Sequence, residues 1–422
     1  MAILDVLAIL MVLAATFGWL NERYVRLPVT VGVMAMGLAL SLALVALSLA
    51  YPSIKADTER LLAAIDFDQL LLHGVLGFLL FAGALHIEFS DLREHWLSIG
   101  VLAIVGTLAS TALVAWLCWL LASALDLGLT PLHCLLFGAL ISPTDPIAVL
   151  SMLKSLRAPR HLEVQIAGES LFNDCVGVVV FLALLQAGGP SSREGIGFAL
   201  HLFLLATREV LGGASFGLLL GLLAYFMLKR IDNYQLEILI SLALVTVGYA
   251  WAERLHLSAV IAVVTAGLLV GNQGRAFAMS DRTRQHLDTF WELVDEILNA
   301  VLFVLLGLEV LALPIRREYV VAGVLAVPMV ILARFAATGL SVQLVRAIVA
   351  PARYTIRVLT WGGLRGGLAV ALALVLRDHL PARQADVLLV MTYFVVAFSI
   401  LVQGLSMKPL LKLYVAAARE RG

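Results

Sequence analysis

From Ile3 to Leu413 the chain is a succession of apolar runs separated by short polar turns. A helix needs roughly 20 apolar residues to cross the hydrocarbon core of a bilayer, and that length recurs along the whole sequence. Taken as the unit, it predicts spans at Ile3–Leu20, Leu27–Ala50, Gln69–His86, Leu97–Leu125, Pro131–Leu153, His161–Ala187 and Gly197–Leu228. It continues with Tyr234–Trp251, Leu257–Gly271, His286–Leu311, Tyr319–Arg346, Ile356–Leu376 and Ala385–Leu413, thirteen in all. The ninth is short for a span, and the seventh is long enough to begin as an interfacial helix around His201. The expected fold is therefore an all-α polytopic membrane protein. No stretch between the runs is long enough to form a domain of its own.

Charge agrees with this class. Charged residues are 14% of the 422 and hydrophobic ones 62%, with a mean hydropathy of +1.00, whereas soluble domains carry about 25% charge. A formal net charge of zero argues against a nucleic-acid partner. Cys118, Cys134 and Cys175 fall in apolar runs without metal-ligand spacing, so neither a disulfide framework nor a zinc site is expected. The first run lacks a basic leader and a small-residue cleavage site, and Asp5 stands where a positive charge would belong, so it reads as a retained helix. With the N-terminus outside, eighteen of the 29 Lys and Arg residues fall on inner segments and eight on outer loops, which orients an odd number of spans with the C-terminus in the cytoplasm. The other three, Arg208, Arg334 and Arg365, lie within spans.

The chemistry concentrates between Ile141 and Phe181, where Asp145, Glu169 and Asp174 stand among apolar residues. An ionisable residue in a membrane costs on the order of 2.5–3.5 kcal/mol on insertion scales, so three together need a reason. Pro143-Thr144-Asp145-Pro146 sets two prolines around an acid in mid-span. Proline removes a helical hydrogen bond and pushes its predecessor out of α geometry, so Thr144 and Asp145 are expected in an unwound segment. Such backbone is tolerated at membrane depth only where protein buries it or water reaches it. A carboxylate, a hydroxyl and free carbonyls are hard oxygen ligands suited to an alkali cation. A proline kink with its acid satisfied by backbone amides would leave the same sequence trace.

On the sixth span, Glu169 and Asn173 share one helical face, and Ser170 and Asp174 share the next. Ser170 and Asp174 can meet Asp145 across the broken fifth span. Glu169 and Asn173 can turn to another neighbour, with Arg334 the obvious basic partner. Two carboxylates sharing one site do not both carry full charge cheaply, which favours a bound cation or a bound proton. That competition is antiport chemistry. Trp361-Gly362-Gly363-Leu364-Arg365-Gly366-Gly367 breaks the twelfth span, and Arg365 would supply positive charge where half-helix ends meet. Breaks seven spans apart fit two inverted six-helix repeats with one helix between them, with the site at their crossing. Glycine-mediated packing with a snorkelling arginine is the plainer reading of that segment. Glu292, Asp295, Glu296 and Asn299 make the tenth span amphipathic and suit a funnel that gathers cations, or simply a solvated face. His73, His133 and His201 read as structural histidines, and Asp57, Glu59, Asp66 and Asp68 as a solvated outer loop.

With these residues in hand the chain resembles the sodium/proton antiporters of the NhaP/NHE branch of the monovalent cation:proton antiporters. The resemblance spans essentially the whole sequence and rests on TDP at Thr144–Pro146, GESLFND at Gly168–Asp174, the arginine of LARFAATG at Arg334, and GGLRGG at Gly362–Gly367. It implies NhaA-like inverted repeats with broken crossing helices 5 and 12, and a homodimer in the cell (inner) membrane. It divides the chain into dimerisation-side helices 1–3 (1–96), core helices 4–6 (97–188), linker helix 7 (189–230), dimerisation-side helices 8–10 (231–315) and core helices 11–13 (316–422). It makes Asp174 the main ion and proton carrier, with Thr144, Asp145 and Ser170 completing the Na+ ligands and the Glu169–Arg334 pair structural. Asn173 before Asp174 implies electroneutral exchange of one cation for one proton, since the electrogenic branch has two aspartates there. The implied activity is exchange of Na+ or Li+ for H+ by alternating access, with no cofactor. The absence of the long cytoplasmic tail of animal relatives suggests a prokaryotic transporter. A K+/H+ antiporter of the same fold is the nearest alternative and a cation channel a more distant one. An intramembrane hydrolase would need a nucleophile motif such as GxSG or HExxH, and the sequence has neither.

Overall fold

A computed structural model describes residues 3–27, 29–50, 74–156, 158, 160–188, 196–309, 313–314, 316–346 and 354–419. The helices are α1 (Ile3–Leu20), α2 (Val29–Ala50), α3 (Leu76–Leu85), α4 (Phe89–Ala124), α5a (Pro131–Ile141), α5b (Ile147–Ser155) and α6 (Arg160–Ala187). They continue as α7 (Ile196–Leu228), α8 (Tyr234–Arg254), α9 (Ala259–Gly274), α10 (Asp281–Glu309), α11 (Arg317–Val345), α12a (Thr355–Trp361) and α12b (Gly367–His379). The last, α13, runs from Ala382–Phe398 through a π-helical turn at Ser399–Gly404 into Leu405–Arg419. Among the described residues six runs are long and apolar enough to cross a membrane by length and composition, α4, α6, α7, α8, α11 and α13. The outer loop with Asp57, Glu59, Asp66 and Asp68 lies outside the described residues, as do His73, Lys55, Arg60, Arg157, Arg193, Leu311, Arg353 and Arg421.

Two helices begin five or more residues before the start that hydropathy predicts. Helix α4 starts at Phe89, because the amphipathic turn FSDLREHW is helical although too polar to be counted as span. Helix α10 starts at Asp281, after Ser280, whose hydroxyl accepts the Thr283 amide as an N-cap. Helix α5a begins with Pro131 behind a capping box in which Thr130 and His133 satisfy each other's amides, which accounts for His133 structurally.

Packing groups the helices. Helix α4 lies against α5a, α6 and α11, and α13 lies against α11 and α12b. Separately, α2 packs on α10, α3 on α9 and α10, and α8 on α9 and α10. Helix α7 touches both groups, through α6 on one side and α8 and α9 on the other. Within the first group the breaks of helices 5 and 12 face each other. Their two extended segments form an antiparallel bridge, with the Asp145 amide donating to the Leu364 carbonyl at 2.8 Å. Backbone freed by proline in one chain segment is thereby satisfied by backbone freed by glycine in the other.

Candidate functional site

Four half-helix ends meet at this bridge: the C-termini of α5a and α12a and the N-termini of α5b and α12b. Asp145 stands at the two N-termini. Its carboxylate accepts the Ile147 amide of α5b at 3.0 Å, and Gly366, the residue before α12b, lies against the same side chain. A Cβ at Gly366 would sit 2.8 Å from the Asp145 Cβ and 3.0 Å from its carboxyl carbon. The positive ends of two half-helices thus converge on a carboxylate. Arg365 does the converse at the C-terminus of α5a, where its Nη1 donates to the Pro143 carbonyl at 2.7 Å and to the Ser142 carbonyl. Its own amide donates to Ser399 Oγ at 2.8 Å, on the π-helical turn of α13.

Helix α6 crosses the break and fixes Thr144 from both sides. Asn173 Oδ1 accepts the Thr144 amide at 3.1 Å, and Asn173 Nδ2 donates to the Thr144 hydroxyl at 2.7 Å. The same Nδ2 donates to Glu169 Oε1 at 3.1 Å, and that oxygen accepts Arg334 Nη2 of α11 at 2.6 Å. Ser170 Oγ donates to the Thr144 carbonyl. Gly363 gives Arg334 its room, since a Cβ there would lie 2.9 Å from Arg334 Nε and 3.1 Å from the Thr144 methyl.

Exposure separates frame from site. Thr144, Glu169, Ser170, Asn173, Arg334 and Arg365 are buried, whereas Asp145 and Asp174 are each half-buried. The two acids are the most exposed of these eight side chains. Asp174 lies within electrostatic range of Asp145, Glu169 and Arg365. Among the described residues Arg365 Nη2 has no hydrogen-bond partner, and the guanidinium is in electrostatic range of Glu169 and Asp174. On α10, half-buried Asp295 is in electrostatic range of Asp145 and accepts Asn299 Nδ2 at 3.2 Å, while Glu292 and Glu296 are exposed beyond it. Asp295 of α10 therefore adds a further acid within electrostatic range of Asp145.

The geometry brings all eight sequence candidates together: Thr144, Asp145, Glu169, Ser170, Asn173, Asp174, Arg334 and Arg365. Asn173 differs from its expected use, for it serves both faces of α6. Ser399 is absent from the sequence reading; its one signal is a hydroxyl within the apolar run YFVVAFSILV. The carbonyls of Ser142 and Pro143 carry no sequence signal at all. Arg208 is exposed, while neighbouring Glu209 is buried and accepts Gln186 Nε2 of α6 at 3.1 Å. The three cysteines are buried and free.

Comparison with known proteins adds four findings. The family model described as "Sodium/hydrogen exchanger, transmembrane" matches residues 10–413. The chain is 45% identical over 418 residues to the Na(+)/H(+) antiporter NhaP of Pseudomonas aeruginosa, covering 97% of this chain and 96% of that one. It is 36% identical over 365 residues to the Na(+)/H(+) antiporter NhaH of Halobacillus dabanensis, covering 84% and 86%. Among solved structures it is similar to the sodium proton antiporter MjNhaP1 from Methanocaldococcus jannaschii, with a TM-score of 0.76 at 18% identity over 98% of this chain and 100% of that one. At that identity the likeness concerns the fold.

Proposed function

The chain belongs to the sodium/hydrogen exchanger family, and we propose that it is a secondary active antiporter exchanging one Na+ for one H+ by alternating access. The observation that carries this reading is the contrast between a buried, hydrogen-bonded frame and two more exposed acids at the crossing of the broken helices. Asp174 binds Na+ and H+ in turn, with Asp145 sharing the cation's charge and with Thr144 and Ser170 completing the oxygen ligands. Glu169, Asn173 and Arg334 hold the frame, and Arg365 holds the α5a end. When Asp174 is ionised and no cation is present, the free Nη2 of Arg365 offers it a positive neighbour, so the site stays poised between cation and proton.

The packing supports a division of labour. Helices 4–6 and 11–13 (97–188 and 316–422) form the ion-carrying body. Helices 1–3 and 8–10 (1–96 and 231–315) form the side that meets a second copy in a homodimer, with α7 (189–230) between. The protein works in the cell membrane with its C-terminus in the cytoplasm and needs no cofactor, its substrates being the two ions. The test is cation-driven proton flux in proteoliposomes with the membrane potential first clamped and then free. Wild type exchanges H+ for Na+ irrespective of potential, and Asp174→Asn does not. By mass action, its apparent Km for Na+ rises as the pH falls, approaching about tenfold per pH unit once protons occupy the site. Exchange driven by K+ alone would overturn the ion assignment, and full-rate transport by Asp174→Asn would overturn the site.

A further inference from the structure

Breaking a helix takes backbone amides away from their usual carbonyls, and at membrane depth each needs another acceptor. Helix 5 meets this need at Thr144 with a side chain of the helix that follows it, since Asn173 Oδ1 of α6 accepts the Thr144 amide at 3.1 Å. Helix 12 does the same. The Arg365 amide donates to Ser399 Oγ of α13 at 2.8 Å. Each broken helix is thus tied at its break to its successor in the chain by a side-chain acceptor, and Ser399 is the counterpart of Asn173. Ser399 is 0% exposed and Arg365 2% exposed, so the serine oxygen, not solvent, serves that amide.

What the tether holds is the segment that shapes the site. The residue before Arg365 gives its carbonyl to the Asp145 amide at 2.8 Å. The residue after it, Gly366, lies against the Asp145 carboxylate. Arg365 itself reaches the Pro143 carbonyl at the end of α5a. Three consecutive residues, Leu364 to Gly366, therefore bear on Asp145 or its helix, and the Ser399 bond fixes them to a third helix. Ser399 also opens the π-helical turn Ser399–Gly404, a kind of turn found mostly at functional sites. The far end of that turn is close to the same break, for a Cβ on Gly404 would lie 4.0 Å from a Leu364 methyl and 3.5 Å from a Val31 methyl of α2.

We infer that Ser399 is a positioning residue for the exchange: by holding the Arg365 amide it sets the Leu364–Gly366 segment, and through that segment Asp145, in the geometry that receives the cation. The inference rests on the antiport reading. Serine contributes one accepting oxygen at a fixed place, and it acts on the ion only through Asp145. Another buried hydroxyl on α13 supplies the control. Thr392 is 0% exposed and its hydroxyl donates to the Leu388 carbonyl of its own helix at 2.8 Å, so its loss alters α13 without releasing the break.

The experiment compares Ser399→Ala and Thr392→Val with wild type, as full chains. Proteoliposomes give Na+-driven proton flux, and nanodiscs give unfolding temperature and hydrogen–deuterium exchange of peptides covering 360–367. Both variants lower the unfolding temperature. Only Ser399→Ala raises the apparent Km for Na+, by about fivefold with kcat within about twofold, as loss of one hydrogen bond expressed in binding requires. Only Ser399→Ala speeds exchange in 360–367. Should that variant not fold, Ser399→Cys, with a weakly accepting sulfur, carries the same comparison with a smaller rise. The inference is overturned by an unchanged Km in the Ser399 variant, by an equal rise in Thr392→Val, by a fall in kcat alone, or by unchanged exchange in 360–367. Absence of Na+-driven flux in wild type, or full flux in Asp174→Asn, would instead sink the antiport reading, and exchange in 360–367 would still decide whether Ser399 holds the break.

Discussion

Breaking the Glu169–Arg334 pair tests whether this part of the site is frame or ligand. Both side chains are 3% exposed and the pair closes at 2.6 Å. At an effective dielectric near 20 the gross attraction at that distance is about 6 kcal/mol, most of which offsets the cost of taking two charges out of water. Glu169→Gln therefore does more than delete an attraction. It leaves the Arg334 guanidinium buried and charged, with Nε already lacking a hydrogen bond. The expected loss is about 3–5 kcal/mol. Arg334→Met leaves Glu169 charged with Asn173 Nδ2, at 3.1 Å, as its one remaining hydrogen-bond donor among the described residues, and the loss is of similar size. The double variant Glu169→Gln/Arg334→Met has no buried charge, and an amide at 169 still accepts from Asn173. Its stability is expected within about 1–2 kcal/mol of wild type, a coupling well above the ~0.5 kcal/mol scatter of independent sites. Reversible denaturant unfolding of the four proteins in mixed micelles measures the cycle. Additive losses would refute the reasoning, because they would mean that neither charge depends on the other.

Two further substitutions probe the clamp and the crossing. Asn173→Ala strands the Thr144 amide, the Thr144 hydroxyl and one donor to Glu169. The expected cost is about 1–3 kcal/mol for each group left dry, read as a lower unfolding midpoint together with reduced flux; unchanged stability would show that water replaces the amide. Gly366→Ala places a methyl against the Asp145 carboxylate, at a residue whose φ of −109° any side chain adopts. The penalty is therefore steric, roughly 1–3 kcal/mol, and the apparent Km for Na+ rises because Asp145 is displaced. A normal Km would mean that Asp145 does not carry the ion.

What was legible beforehand was the set of side chains whose chemistry is out of place in lipid. Asp145, Glu169, Asp174, Arg334 and Arg365 announce themselves because each is expensive in a membrane. Prolines 143 and 146 and the glycines at 362, 363, 366 and 367 mark where the helices break. Contacts made by backbone were not legible. No residue type signals that the Ser142 and Pro143 carbonyls receive Arg365, or that the Asp145 amide finds the Leu364 carbonyl.

The same distinction explains why the crossing needs both halves of the chain. Proline alone would leave Thr144 and Asp145 with unsatisfied backbone, and glycine alone would leave α12 merely thin. Set against each other, the two breaks bring four helix ends of known polarity together. Two positive ends take Asp145, and Arg365 takes the negative end of α5a. Charge at the crossing is thus fixed by backbone and by one arginine before any ion arrives. Asp174 alone of the three acids in the constellation has neither a helix end nor a hydrogen-bonded arginine assigned to it. An acid so placed, half-buried and in electrostatic range of Asp145 and Arg365, has no hydrogen-bonded partner among the described residues to compete with a cation or proton. In the proposed exchange, Asp174 is for that reason the carboxylate assigned to the exchanged ion.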